Sequence, residues 1–254
     1  MRIGRVLLDG LPTYVRIEGD RAVVQKGDLG SLTDGTATAP IAGLRWLAPV
    51  IPSKVIGVAT NYADHAKEMN KPVPAAPRLF LKAPSSIVSP GEPILIPPGT
   101  SRVDPEGELA VVIGKHAFCV PRQDALDYVL GYTCANDVTA RDFQKEDVIF
   151  GRAKSFDSFC PLGPWIETEL DPSDVALSTS VNGEVRASGR TSQMIFGVAD
   201  LVAFISSIMT LLPGDVISTG TPPGVAPIKA GDRVSVWVEG IGTLENPVVD
   251  RRDR

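Results

Sequence analysis

Apolar and polar positions alternate with a period of two over several short runs at the start of the chain. Residues 2–8 (RIGRVLL), 13–19 (TYVRIEG) and 21–27 (RAVVQKG) each read as a strand, with Glu18-Gly19-Asp20 as a turn. The small, polar stretch 31–43 (SLTDGTATAPIAG) reads as a connector. A new unit begins near Ile51: a strand over 54–59, one or two helical turns in YADHAKEM, an irregular KPVPAAP, and a strand in RLFLKA. SIVSPGEPILIPPG reads as turn, strand, turn, and ELAVVIGK as an apolar strand ending at Gly114.

Further on, PRQDALDYVLGYT has helical spacing at Ala125, Tyr128 and Val129, with Gly131 to end it. TCANDVTARDFQK fits strand or helix. LSTSVNGEVRASG predicts a hairpin about Asn182-Gly183. VADLVAFISSIMTLLPGD is the clearest helix, closed by Pro213-Gly214. VISTGTP reads as a strand and DRVSVWVEGIGTLENPVV as a second hairpin. Strands outnumber helices and do not alternate with them, so the expected fold class is α+β, mainly β, rather than a doubly wound or barrel α/β fold. Two units are expected: a small N-terminal β domain over 1–50 and a catalytic domain over 51–254.

Composition narrows the function. The 254 residues are 43% hydrophobic and 22% charged, as in a globular protein. A net charge of −5 gives no reason to expect nucleic acid or an anionic membrane surface as partner. No apolar run approaches the roughly 18 residues of a spanning helix, and no export signal is visible. The expected location is the cytoplasm, with Cys119, Cys134 and Cys160 as reduced thiols.

Four groups of residues could carry chemistry. Glu106 and Glu108 sit two apart in DPEGELAVVIGK, so on a strand they share a face with Ala110 and Val112. Like charges so placed repel unless solvated or held by a cation. With a later acid, Asp137, they would form a site of hard oxygen ligands suited to Mg²⁺ or Mn²⁺. A solvated strand end is the plain alternative. His65 and Glu68 are three apart, and on a helix the carboxylate could fix the imidazole tautomer and leave a base. A surface helix histidine fits as well. Lys154 in RAKSFDSFCP could offset a developing negative charge, and Arg141 with Gln144 could hold a carboxylate. STGTPPGV, residues 218–225, offers backbone donors and hydroxyls to an anion, or is a turn.

Taken together, the motifs resemble the fumarylacetoacetate hydrolase family in its smaller bacterial and mitochondrial branch. From about residue 52 to 250 they run in the family's order: GVATNYADHAKEM, RLFLKAPSS, PEGELAVVIGK, GYTCANDVTARDFQ, AKSFDSFCPLGP, VNGEVRASGRTSQMIF and LLPGDVISTGTPPGV. The resemblance implies a mixed β-roll core with peripheral helices, usually a homodimer. It implies Mg²⁺ or Mn²⁺ on Glu106, Glu108 and Asp137, a water-activating dyad of His65 and Glu68, and Lys154 beside the metal. Phe80, Lys82, Arg141, Gln144 and Thr221 fall on positions that line or flank the substrate pocket. Ala59-Thr60 before Asn61 departs from the family's more usual G-x-NY. The implied activity is metal-dependent C–C cleavage of small 2-oxo acids through a stabilised enolate, as in acylpyruvate hydrolysis or oxaloacetate decarboxylation. The alternative is an isomerase or decarboxylase of aromatic catabolism acting on longer diacids, for whose second carboxylate Arg78, Lys82 and Arg190 are candidates. A non-catalytic metabolite-binding protein is the remote alternative.

Overall fold

The structure, a computed structural model, describes residues 1–68, 70 and 72–253. Met69 of the expected first helix, Lys71 of the irregular stretch after it, and Arg254 lie outside the described residues. The chain opens with β1 (Arg2–Leu8), β2 (Leu11–Glu18), β3 (Arg21–Lys26), β4 (Thr33–Pro40) and β5 (Arg45–Leu47). β6 (Val55–Ala59) and β7 (Arg78–Lys82) flank α1 (Ala63–Glu68). Then come β8 (Ile87–Val88), β9 (Ile94–Ile96), β10 (Val103–Asp104), β11 (Gly107–Ile113), β12 (Val129–Asn136) and β13 (Thr139–Ala140). Two short helices follow, α2 (Arg141–Glu146) and α3 (Gly151–Lys154), and then β14 (Cys160–Glu167), β15 (Ala176–Val181) and β16 (Glu184–Arg190). α4 (Val198–Ile208), β17 (Val216–Ser218), β18 (Arg233–Val238) and β19 (Gly242–Asp250) complete the chain.

Among the described residues, twelve strands join in one sheet whose main path is β4-β3-β2-β1-β14-β12-β11-β17-β6-β7. A second sheet runs β16-β15-β18-β19-β9. β11 lies near the middle of the large sheet and is buried along its whole length. Its alternate residues feed two cores, as a period of two requires. Leu109, Val111 and Ile113 join α4 and the second sheet in the larger core, while Ala110 and Val112 join Leu162, Ile166 and Val216 on the opposite face. The N-terminal strands extend the same sheet, with Ile3 opposite Ile166, and enclose a small core of Val6, Val15 and Ala22.

Three local expectations are corrected. The stretch 31–43 contains β4, paired to β3 through Arg21↔Pro40 and Lys26↔Thr33, because partner strands supply order that small polar residues do not. The helix expected from 121 is a 3₁₀ segment, Arg122–Tyr128, and β12 begins at Val129. Gly131 lies inside that strand, where a Cβ would come 2.5 Å from the Glu167 carbonyl oxygen, so it serves close strand approach and not a helix end. α4 stops at Ile208 rather than at Pro213-Gly214. Beyond it Leu211 pairs with Ala117, which draws the chain into an extended path. The Asn182-Gly183 hairpin forms as expected, both residues having positive φ (53° and 82°).

A buried acidic centre and its dyad

The site forms where several strands end together. β11 starts at Gly107, opposite Asn136 at the end of β12. β17 ends beside β11, with Ser218 opposite Ala110, and β6 ends parallel to β17. The turns at these ends carry Glu106, Asp137, Thr60 and the 219–225 loop. The Asp137 N–H donates to the Glu106 carbonyl at 2.8 Å, which fixes the two acidic turns to each other.

Glu106, Glu108 and Asp137 are buried, and one carboxylate oxygen from each lies within 4.8 Å of the others. The cations around them are also buried. The Lys154 ammonium donates to Glu106 Oε2 at 2.5 Å and to Asp137 Oδ2. Lys82 donates to Asp137 Oδ1 at 2.5 Å. Arg141 is divided among three partners: Nε to Asp104 Oδ2 (2.7 Å), one terminal nitrogen to Glu106 Oε1 (2.6 Å) and the other to Gln144 Oε1 (2.9 Å). Burial opposes charge on Glu106, but Lys154 and Arg141 outweigh it and hold its carboxyl well below the usual range. Burial likewise opposes the Lys154 ammonium, and Asp137 and Glu106 outweigh it, so its pKa rises.

Glu108 differs. Among the described residues it makes no ion pair; its Oε2 accepts from Ser218 Oγ (2.5 Å) and the Gly220 N–H (2.8 Å). Burial, together with the charges of Asp137 and Glu106, pushes its pKa up to about 8. The carboxylates of Glu106, Asp137 and Asp104 are matched by Lys154, Lys82 and Arg141, whereas Glu108 has no such match. Arg102, also on Asp104, is half exposed and solvent-screened. A cluster of buried carboxylates with one unmatched member and only oxygen donors fits a hard divalent cation.

The dyad sits across the cavity on α1. His65 is buried, with Nδ1 2.9 Å from Glu68 Oε2. A carboxylate only accepts, so in the neutral imidazole this contact places the proton on Nδ1 and leaves the lone pair on Nε2. α1 is short, but Lys67 pairs with Asp64 at 2.7 Å as Glu68 pairs with His65, both at the i,i+3 spacing of a helix face. Its N-terminal end is fixed by Asn61, whose carboxamide donates to the Phe196 and Thr219 carbonyls (3.0 and 2.8 Å) and accepts from the Phe196 N–H (2.9 Å). Its C-terminal end is fixed by Glu68, which accepts the Gly224 N–H at 3.1 Å.

The cavity between these elements is lined by His65, Phe80, Glu106, Glu108, Asp137, Arg141, Gln144, Lys154 and Thr221. Two residues expected at the site lie outside this lining. Glu68 stands behind His65, half exposed. Lys82, expected to flank the substrate, is buried beneath Asp137 and supports that carboxylate. Four lining residues were not among the expected site residues: Val58, Ala59, Thr60 and Phe150. Phe150 meets Phe80 edge-on at 5.8 Å. Thr60 holds φ 61°, unusual for a β-branched residue, so the departure at Ala59-Thr60 is a strained turn at the cavity wall. Phe80 in turn needs Gly57, where a Cβ would lie 2.1 Å from the ring. Asp104 also went unread; it holds Arg141 in place from behind.

The family described as fumarylacetoacetate (FAA) hydrolase C-terminal matches residues 54–249, and one described as Rv2993c-like, N-terminal matches residues 1–49. Human mitochondrial oxaloacetate tautomerase FAHD2A is 45% identical over 223 residues, 83% of this chain and 71% of that protein. The crystal structure of a Mycobacterium smegmatis protein described as 5-carboxymethyl-2-hydroxymuconate delta-isomerase superposes with TM-score 0.93 and 48% identity, covering 98% of this chain and 100% of that one. Maleylpyruvate hydrolase from Sphingobium, solved with manganese(II) and pyruvate, superposes with TM-score 0.81 and 30% identity, covering 98% and 99%. No helix among the described residues is long and apolar enough to cross a membrane.

Proposed function

Because the chain belongs to the fumarylacetoacetate hydrolase family, we propose that it is a divalent-metal-dependent enzyme that moves a proton at the carbon next to the carbonyl of a 2-oxo acid, by keto–enol tautomerisation or double-bond isomerisation. The observation that carries this reading is the unmatched Glu108 in a cavity that also contains a tautomer-fixed histidine. Glu106, Glu108 and Asp137 would hold Mg²⁺ or Mn²⁺, which would supply Lewis-acid polarisation to a 2-oxo acid. His65 Nε2 takes the proton from C3, and Glu68 stabilises the imidazolium through Nδ1. The Lys154 ammonium offsets negative charge developing on the 2-oxo oxygen. For isomerisation His65 returns the proton to a carbon further along a conjugated substrate; for tautomerisation the 2-oxo oxygen is protonated to give the enol or, in the reverse direction, the enol O–H proton is lost and C3 is protonated. Phe80 and Phe150 form an apolar wall of the cavity.

Carbon–carbon cleavage, the first expectation from the motifs, becomes the second reading. The named relatives at 45–48% identity are a tautomerase and an isomerase, while the maleylpyruvate hydrolase is 30% identical. That hydrolase, solved with manganese(II) and pyruvate, is what favours keeping cleavage: in this chain the enolate would then be the leaving group, with His65 deprotonating a water instead. Simple tautomerisation was not among the reactions the motifs had suggested. Deuterium entry at C3 of oxaloacetate in D₂O with Mg²⁺, followed by NMR, separates the readings. Enzyme-accelerated exchange that outpaces pyruvate formation supports proton transfer. Pyruvate formation with no accelerated exchange would replace it with cleavage.

A further inference from the structure

The 219–225 loop holds two carboxylates from opposite sides of the cavity, each through a glycine N–H. Gly220 donates to Glu108 Oε2 at 2.8 Å, and the Gly224 N–H reaches both oxygens of Glu68, at 3.1 and 3.2 Å. Both glycines have a φ that L side chains rarely adopt, 100° and 106°. Neither has room for a side chain. A Cβ on Gly220 would lie 2.8 Å from the Asn61 Cβ, and one on Gly224 would lie 2.2 Å from the Arg186 carbonyl oxygen. Arg186 belongs to β16, the edge strand of the second sheet. The same strand meets the loop again at Gly189, where a Cβ would come 2.8 Å from the Pro222 Cβ. At both points the obstacle is backbone or a proline ring, and neither yields by a side-chain rotation.

Glu68 depends on this support. α1 has six residues, well short of the roughly 12–15 at which an isolated helix is even marginal. Glu68 is its last residue and is half exposed. Among the described residues its carboxylate has two partners, His65 and Gly224. Released from Gly224, the carboxylate is free to turn to solvent, and the proton of a neutral His65 is no longer fixed on Nδ1. In the Nε2–H form that results, the lone pair sits on Nδ1, and Nε2 cannot accept a proton.

We propose that Gly224 is a positioning residue for the dyad. β16 braces the loop, the Gly224 N–H holds Glu68, and Glu68 holds His65 in the form that takes a proton. This rests on the reading of His65 as the base given above.

The chain has two histidines, so protein labelled with ¹⁵N-histidine gives two imidazole patterns in two-bond ¹H–¹⁵N correlation spectra, and His65→Ala identifies which is His65. At pH 9 in Mg²⁺ the wild-type His65 pattern is that of the Nδ1–H form. Gly224→Ala moves it toward the Nε2–H form. The same variant slows enzyme-catalysed deuterium exchange at C3 of oxaloacetate about 10- to 100-fold, part of what a positioned base supplies. Its calorimetric Mg²⁺ affinity is unchanged. In a Glu68→Ala background the substitution costs no further rate, because the two residues act through one contact. Gly189→Ala leaves φ outside the strained region and produces the same change in smaller measure, and it decides the matter alone should Gly224→Ala fail to fold. A His65 pattern that stays Nδ1–H in every folded variant overturns the proposal whatever the rate, as does an equal loss of rate in the Glu68→Ala background. A loss of Mg²⁺ affinity in Gly224→Ala as large as its loss of rate would assign the brace to Glu108 and also overturn it. Exchange in His65→Ala as fast as in the wild type removes the base reading itself, and the positioning role falls with it.

Discussion

Metal binding at this centre should release a proton, because Glu108 is the carboxyl without a matching cation. In the metal-free protein its pKa is pushed up to about 8. At pH 6 it is protonated, and a cation must displace that proton to bind the carboxylate. Two pH units correspond to about 2.7 kcal/mol, so Mg²⁺ affinity at pH 6 should be about 100-fold weaker than above pH 8. Titration calorimetry at pH 6, 7, 8 and 9, in buffers of different ionisation enthalpy, reads both affinity and proton count. About one proton should leave per ion at pH 6, falling toward none at pH 9. Glu108→Gln should bind more weakly and abolish the proton release. Affinity that stays flat from pH 6 to 8, or release that persists in Glu108→Gln, would refute the assignment. The same shift governs stability without metal. The unfolded chain gives up the Glu108 proton near its ordinary 4.5 and the folded one near 8, so this group costs stability increasingly as pH rises between those values. Mg²⁺ should therefore raise Tm more at pH 8 than at pH 6. Glu106, held below its ordinary value, acts in a separate window: its contribution is present above about pH 4.5 and is lost as pH falls below that.

Lys82→Met should lower folding stability by about 3–5 kcal/mol by removing a buried partner of Asp137, with little change in KM; a large KM effect on a stable protein would return Lys82 to the substrate. His65→Ala should reduce kcat by about 10²- to 10⁴-fold while leaving calorimetric Mg²⁺ affinity intact, and retained turnover would remove its role as base. Lys154→Met should lower kcat far more than it changes substrate affinity, and an unchanged kcat would make it a bystander. Gly57→Ala should cost about 1–3 kcal/mol and displace the Phe80 ring, read as a lower denaturation midpoint; wild-type stability would show that the ring has room to move.

Much of the site could be read along the chain because its parts lie on locally regular elements. The period of two in DPEGELAVVIGK placed Glu106 and Glu108 on one side of β11, and Asn182-Gly183 announced its hairpin through backbone geometry alone. What could not be read depended on residues distant in sequence. Lys82 and Asp137 meet across 55 positions, so the lysine's support of a carboxylate, rather than of a substrate, has no local signal. The raised pKa of Glu108 arises from burial and the charges of Asp137 and Glu106, with no cation paired to it, and only the folded arrangement of Lys154, Lys82 and Arg141 reveals this. Gly131 gave a false helix end because a glycine required for close strand approach looks the same in sequence as one that ends a helix. β4 was missed because its order comes from β3, and the strain at Thr60 because strain is a property of the path and not of the residue type.

The central claim is that Glu106, Glu108 and Asp137 hold a divalent cation on which 2-oxo acid chemistry depends. The most direct test is the ultraviolet decay of enol-oxaloacetate with enzyme in Mg²⁺, in Mn²⁺ and after EDTA, for the wild type and Glu106→Ala. Enol loss should be accelerated with either metal, cease with EDTA, return when metal is restored, and be absent in the variant. Equal acceleration in EDTA, or in Glu106→Ala, would contradict it.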